Sequence, residues 1–399
     1  CVCLCGSVAN YKALYKPMIQ NKTIICFASN YDAPPTSKHH VMHLLAEHNV
    51  ILWVNYHASR TPTVNSSDIK YIFEKLKQVA AGLKNPRQNL FVLTPFVIPL
   101  PGKNWARWLN RQLLISQVRL SLKKIKRGTV QLWSFTPDIA YVLGHFREEK
   151  VVYYCVDDHA AFTGYDKVQV LRDEEELCRK SDLVITTAMA LQKVKQDWNP
   201  NTILIPHGVD FEHFNRAQNE DFPCPEDLKN IPRPRLGFFG LIRDWVDVEL
   251  LAQVARKRAD WHFVLIGDAD SSVDITQYRE LKNIHFLGRK PYSDLPAYCQ
   301  HFDVGLIPFK VNDLTYAVNP IKLREYLSAG LPVVSTPMPE VQLYDLLVEI
   351  ADSAEGFQRS IESCWKKTEN DRVACVTAMS RETWDIKLEE IATELKESA

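Results

Sequence analysis

The chain has 399 residues, of which 46% are apolar and 24% charged, a mix that suits two or three soluble globular domains and excludes a disordered chain, a fibrous repeat or a disulfide miniprotein. Lys and Arg total 48, as do Asp and Glu, so net charge makes no case for wholesale nucleic-acid binding. The longest apolar stretch, Leu90 to Pro101, is short and contains three prolines, far from the roughly 20 apolar residues a bilayer-spanning helix needs.

The first part of the chain alternates β-rich runs with helical ones. Strands are predicted at 23–29, 49–55, 90–95, 130–135, 151–157, 183–187 and 202–206, with amphipathic stretches such as His39–Glu47 and Val168–Lys180 between them. That rhythm predicts a doubly wound parallel sheet. Residues 212–235 are polar and proline-rich and read as a linker. A second series follows at 235–240, 262–268, 284–288, 304–309 and 332–336. The expected fold class is therefore α/β, two tandem Rossmann-like domains facing a cleft. The first domain is expected over residues 1–207 and the second over 208–380. An amphipathic helix near 381–399 packs back on the first domain. Ligands of open α/β sheets bind beyond the carboxyl ends of the strands.

The ten cysteines are scattered, and several lie inside apolar runs, the pattern of buried free thiols in a reducing compartment. Cys1, Cys3 and Cys5 alternate without a second cluster to complete a metal site. That end lacks an initiator Met and reads as processed or added. No cationic region precedes a long apolar core, so it does not read as a secretory signal.

In the second half, Asn319 reads as an N-cap and Pro320 as the first residue of a short helix that Gly330 stops. Free amides at such a start attract an anion. Lys322 adds a cation in the first turn, and Glu325 is suited to grip two adjacent hydroxyls. The alternative is a surface helix with a Lys–Glu pair. Gly240 lets the backbone approach a ligand closely, and Arg243 offers bidentate contacts to phosphate. Tyr292, after a strand, either holds a flat base or packs in a turn.

In order, GFFGLIR, FVLIGD, FLGRKPYSDLPAYCQHFDVGLIPF and NPIKLREYLSAGLPVVST, together with HGVDFEHF at 207–214, resemble the donor half of GT-B glycosyltransferases. More narrowly, they resemble the bacterial group 1 enzymes with a Glu-x7-Glu donor motif, in a variant similar to enzymes of exopolysaccharide assembly. The likeness spans roughly residues 150–340. It implies a nucleotide-sugar donor, most simply a UDP-sugar, bound by Gly240, Arg243, Tyr292, Asn319, Ile321, Lys322 and Glu325. Glu325 takes the place of the second motif glutamate, which binds the ribose. The first motif glutamate is replaced by Ala317, which leaves donor sugar and stereochemical outcome open. The fold class commonly works without an essential metal or other cofactor.

In the first domain, VVYYCVDDHAAF runs from a strand into Asp157, Asp158 and His159. Asp157 is the first choice for a base that deprotonates an acceptor hydroxyl, with Asp158 and His159 as rivals; one Asp serving as a helix cap is the alternative. Ser37, Lys38, His39 and His40, in the loop after the first strand, are candidates for lining the cleft. From Lys75 to Phe135 there are twelve Lys or Arg and no acid, so the rest of the chain carries 36 basic and 48 acidic residues. Residues 101–128 of this tract read as a cationic amphipathic face that meets an anionic membrane, or as a solvated helix whose tryptophans are in the core.

These readings converge on a glycosyltransferase of polysaccharide or glycolipid synthesis, cytoplasmic or peripheral at the inner face of the plasma membrane, with a glycan or lipid-linked acceptor. The rival readings are a nucleotide-sugar epimerase on the same fold and a non-catalytic nucleotide-sugar-binding subunit.

Overall fold

The structure is a computed structural model that describes residues 19–56, 82–98 and 104–397. The Cys1, Cys3 and Cys5 end and residues 101–103 of the basic tract lie outside the described residues. Two sheets organise the chain. The first holds β1 (Lys22–Ala28), β2 (Val50–Asn55), β3 (Lys84–Arg87), β4 (Leu90–Leu93), β5 (Thr129–Ser134), β6 (Glu148–Cys155), β7 (Leu183–Thr186) and β8 (Thr202–Leu204). Its order is β3-β4-β2-β1-β5-β6-β7-β8. All neighbours are parallel except the β3–β4 pair at the edge. Strand β3 is exposed and polar, with none of the apolar run that marks the others in sequence.

The second sheet holds β9 (Arg235–Phe239), β10 (His262–Ile266), β11 (Ile284–Gly288), β12 (Val304–Ile307), β13 (Val333–Ser335) and β14 (Glu349–Ile350). It is wholly parallel, in the order β11-β10-β9-β12-β13-β14. The chain winds outward from β1 in one sheet and from β9 in the other, then restarts on the other side at β5 and at β12. Each restart opens a crevice at the carboxyl edge, where a ligand fits.

Both faces of the first sheet are covered, and the strand period of two sorts their residues. Ile25, Phe27, Leu52, Tyr153 and Cys155 enter one core layer, while Ile24, Cys26, Trp53, Val152 and Tyr154 enter the other. Trp384, Ile391, Ala392 and Leu395 of the last helix, Trp384–Glu397, lie in that second layer. All described cysteines except Cys224 are buried, and all are free thiols.

The segment expected to be a linker at 212–235 begins instead with a helix, Phe211–Asn219. Asp210 caps it by accepting from the His213 amide, and Phe214 and Ala217 plant it on the second core. Two apolar anchors suffice there, so the polar composition misled.

Residues 208–210 and 382–384 run side by side, the Val209 amide donating to the Glu382 carbonyl at 2.8 Å. A Cβ on Gly208 would lie 2.8 Å from the Cα and N of Trp384, atoms that have no freedom to yield. Gly208→Ala is therefore expected to lower stability by roughly 1–3 kcal/mol, as overpacking does. Denaturant unfolding checks this, and an unchanged midpoint would show that the junction relaxes freely.

Candidate active site

The second domain contributes a cationic notch at the β9/β12 crevice. Strand β9 ends at Phe239, and Gly240 follows with φ +139°, a conformation that L side chains rarely adopt. A Cβ there would stand 2.2 Å from Cε of Lys322, so the missing side chain is what lets the lysine lie across the turn. The Lys322 ammonium sits 5.8 Å and 5.9 Å from the ring centres of Phe238 and Phe309, at the ends of β9 and β12. Burial lowers its pKa, against the opposing pull of the Glu325 and Asp157 carboxylates. An ammonium held in such surroundings gains from an incoming anion.

Lys322 opens the helix Ile321–Ser328, whose N-cap is Pro320 and whose first turn has no side-chain cap. Its leading amides are thus left for a ligand. Glu325, one turn on, is 6% exposed. Burial raises its pKa to about 7, with Lys322 pulling it down and Asp210 pushing it up. Arg243 lies on the loop after β9. That loop is pinned by the Val246–Phe309 and Ile242–Ala269 bridges, and the Arg243 guanidinium pairs with Asp270 at 3.6 Å and lies 4.8 Å from the Trp245 ring centre.

The first domain contributes a carboxylate. Asp157 follows β6 at the carboxyl edge, and burial raises its pKa to about 6. Lys38 and Lys322 oppose that rise, and Asp158 adds to it. Asp157 and Lys322 each lie within range of the other's charge. Lys38 stands in the first turn of the helix Ser37–Leu45 after β1, with its pKa lowered by burial and raised by Asp157 and Cys26.

Other residues singled out in the sequence serve the fold. Asp158 accepts from the Ala160 amide at 3.1 Å and caps the turn His159–Ala161, the alternative to its reading as a rival base. The His159 ring meets Phe162 edge-on, and its pKa, lowered mainly by burial, also feels the ion pair of Glu174 and Lys195. That pair, at 2.7 Å and almost wholly buried, also takes the Tyr153 hydroxyl, and so anchors the strand that delivers Asp157. Ser37 is buried. His39 accepts from the Thr36 amide at Nδ1 and meets the Tyr31 carbonyl through Nε2, which fixes its tautomer and spends both nitrogens on the loop. His43 pairs with the Tyr31 hydroxyl at 3.1 Å. Among the described residues no group of three or more His, Cys, Asp or Glu is placed to hold a metal. His40 stacks on Trp384 at 5.4 Å and lies 5.9 Å from Tyr292, joining first domain, second domain and last helix. The Tyr292 ring is itself stacked on His213 at 4.5 Å, the packing alternative for that residue.

Asn319 and Ile321 differ from expectation. Asn319 is not the cap. It is 4% exposed, donates to the Thr187 carbonyl of the first domain at 2.8 Å and accepts from Arg324 at 2.6 Å. Ile321 packs against the first domain's core. Both seat the helix Ile321–Ser328 on the other domain. Arg324, also bonded to Glu382 and Tyr344, and Glu340, which accepts from the Met189 amide, complete this junction. Sequence reading missed it, and a buried arginine inside an otherwise apolar helix face was the available signal. Ala317 packs with the first domain's core as well. A further contact closes the cleft, where the Thr163 hydroxyl donates to Asp244 at 2.7 Å.

With this geometry in view, comparison with known proteins defines the class. Residues 233–367 match the family model for glycosyl transferases group 1. The chain is 25% identical over 222 residues to TuaH of Bacillus subtilis (strain 168), named as a teichuronic acid biosynthesis glycosyltransferase. That match takes in 52% of this chain and 55% of TuaH, so the chain spans just over half the length of this relative. Among solved structures, Anabaena HepE in complex with UDP shares 15% identity at a TM-score of 0.63, over 94% of this chain and 100% of that one. The same protein in complex with UDP-glucose gives 14% and 0.64 over 94% and 99%. Sucrose-phosphate synthase from Thermosynechococcus elongatus gives 14% and 0.67 over 94% and 98%. Residues 233–367 are thus similar to the glycosyl transferases group 1 family, and the two domains together have the GT-B fold.

Proposed function

We propose that the protein transfers a sugar from a UDP-sugar to a hydroxyl of a glycan or lipid-linked acceptor in polysaccharide or glycolipid synthesis. The observation that carries this reading is the opposition of Lys322 and an uncapped helix start on one domain to Asp157 on the other. The UDP and UDP-glucose complexes of structural neighbours support the donor class, and the name of TuaH supports the glycan setting.

The acceptor oxygen attacks the anomeric carbon as the bond from that carbon to the donor's β-phosphate oxygen breaks. Asp157 takes the acceptor proton, and Lys322, Arg243 and the amides at Ile321 and Lys322 receive the charge that develops on the diphosphate. Glu325 holds the ribose hydroxyls. Catalysis then rests on orientation and on fixed charges aimed at the leaving group. Ala317 fills the place of the first motif glutamate and offers the sugar no hydrogen bond, so the sugar is held by other groups.

A thermal-shift screen of nucleoside diphosphates and their sugars tests the donor class, since a ligand that binds only the native state raises its stability. UDP and a UDP-sugar are expected to stabilise the protein, and silence across the panel would overturn the reading. Glu325→Ala is expected to weaken UDP binding in calorimetry by roughly 10- to 100-fold, the range for losing hydrogen bonds to a charged group. Unchanged affinity would remove Glu325 from the ribose. Turnover of the donor without any acceptor would favour the epimerase reading.

A further inference from the structure

The basic tract has no part in the reaction above, yet it builds one continuous surface. The helix Asn104–Ile125 packs through Ala106, Leu114, Ile115, Val118, Leu122 and Ile125, all buried. Its opposite face exposes Trp105, Trp108, Gln112, Ser116, Leu120 and Lys123, at the three- and four-residue spacing of a single helical stripe. The tryptophans are therefore outside the core. Trp105 is 56% exposed, Trp108 64% and Leu120 57%. Arg119 and Lys124 flank the stripe, and Lys126 and Arg127 follow it, all exposed. No Asp or Glu occurs from Lys75 to Phe135, and among the described residues none of these five cations stands in an ion pair.

The placement matters too. After β4 the chain runs back along the helix, its Phe96 amide donating to Gln117 and its Ile98 amide to Asn110. Asn110 and Gln117 are seven residues apart, about 10 Å along the helix at 1.5 Å each. The chain leaving the carboxyl end of β4 thus runs toward the helix start, which puts Trp105 and Trp108 at the carboxyl-edge end of the helix.

We propose that this face seats the first domain on an anionic lipid bilayer, the tryptophans entering the headgroup region and the cations meeting acidic lipids. Exposed indoles beside unneutralised Lys and Arg match both layers of such a surface, the apolar boundary and the negative headgroups. A soluble polyanion would use the cations alone. This surface stands independently of the reaction class.

The test is sedimentation of the full chain with phosphatidylglycerol–phosphatidylcholine vesicles and with phosphatidylcholine vesicles. The protein is expected to bind the anionic vesicles, to be released by salt and to leave the neutral ones. Each charge near the surface is worth roughly fivefold, so Lys123→Glu with Lys124→Glu should weaken binding at least tenfold. Trp105→Ser with Trp108→Ser should also weaken it and remove the quenching of protein fluorescence by brominated lipid. No binding, or equal binding to both vesicle types, overturns the proposal. So does a tryptophan variant that binds vesicles as the wild type does while the charge variant alone loses binding to dextran sulfate. Melting and UDP response of each variant report folding. A wild type that ignores UDP yet binds anionic vesicles would count against the proposed reaction and leave this surface intact.

Discussion

Asp157→Asn is expected to lower kcat by roughly 10²- to 10⁴-fold, the usual contribution of a positioned base, while leaving UDP affinity unchanged. The amide keeps the shape of the carboxyl and loses only the ability to accept the acceptor's proton. Wild-type pH dependence should carry the same signature. The carboxyl must be ionised to act, and burial has raised its pKa from 3.8 to about 6. Activity measured as kcat/KM, which reports the free enzyme, is therefore expected to fall as pH drops through about 6. Lys38 holds that pKa down, so Lys38→Met should move the acid limb to higher pH. Full activity in Asp157→Asn, with an unaltered limb, would mean that the leaving phosphate takes the proton in a retaining reaction.

The second large effect is expected at Lys322. Lys322→Met removes the ammonium that faces the developing negative charge and keeps much of the stem. Loss of one preorganised charge partner of this kind costs roughly 10²- to 10³-fold in kcat. UDP binding should weaken as well, because the diphosphate meets the same group in the ground state. Gly240→Ala offers an independent check. Its methyl would stand 2.2 Å from the lysine stem, on a backbone at φ +139°, so it displaces Lys322 without altering charge. A fall in kcat in both variants supports the leaving-group role. Normal turnover in Lys322→Met would shift that role to Arg243 and the helix amides.

What was legible beforehand follows from the range of the interactions. Gly240, Lys322 and Glu325 sit in short segments whose backbone is dictated locally, by a strand end, a turn and a helix start. Their backbone setting therefore showed in the residue order. The place of Asp157 at a strand end was legible because a buried strand running into carboxylates has few outcomes, and the Asp158 cap because capping is a two-residue affair. Asn319 failed for the opposite reason. Local rules make it a cap, but its amide finds a carbonyl at Thr187, 132 residues away, and that long-range bond wins. The helix Phe211–Asn219 hid in a polar stretch because two buried side chains were enough to fix it.

The sequence by itself determined the two alternating series of strands and helices, hence the α/β class, and the local backbone of the turn after β9, the helix Ile321–Ser328 and the loop after β6. These depend on periods of two and 3.6 residues and on glycine and proline, which act within a few bonds. Only the tertiary structure decided which charges confront each other. Lys322 and Asp157, far apart in sequence, come within range of each other's charge, and Trp105 and Trp108 face outward because Leu114, Val118 and Leu122 claim the core. Amphipathic spacing gives a helix two faces but does not say which face the rest of the chain will cover, since that choice is made by packing between residues far apart in sequence.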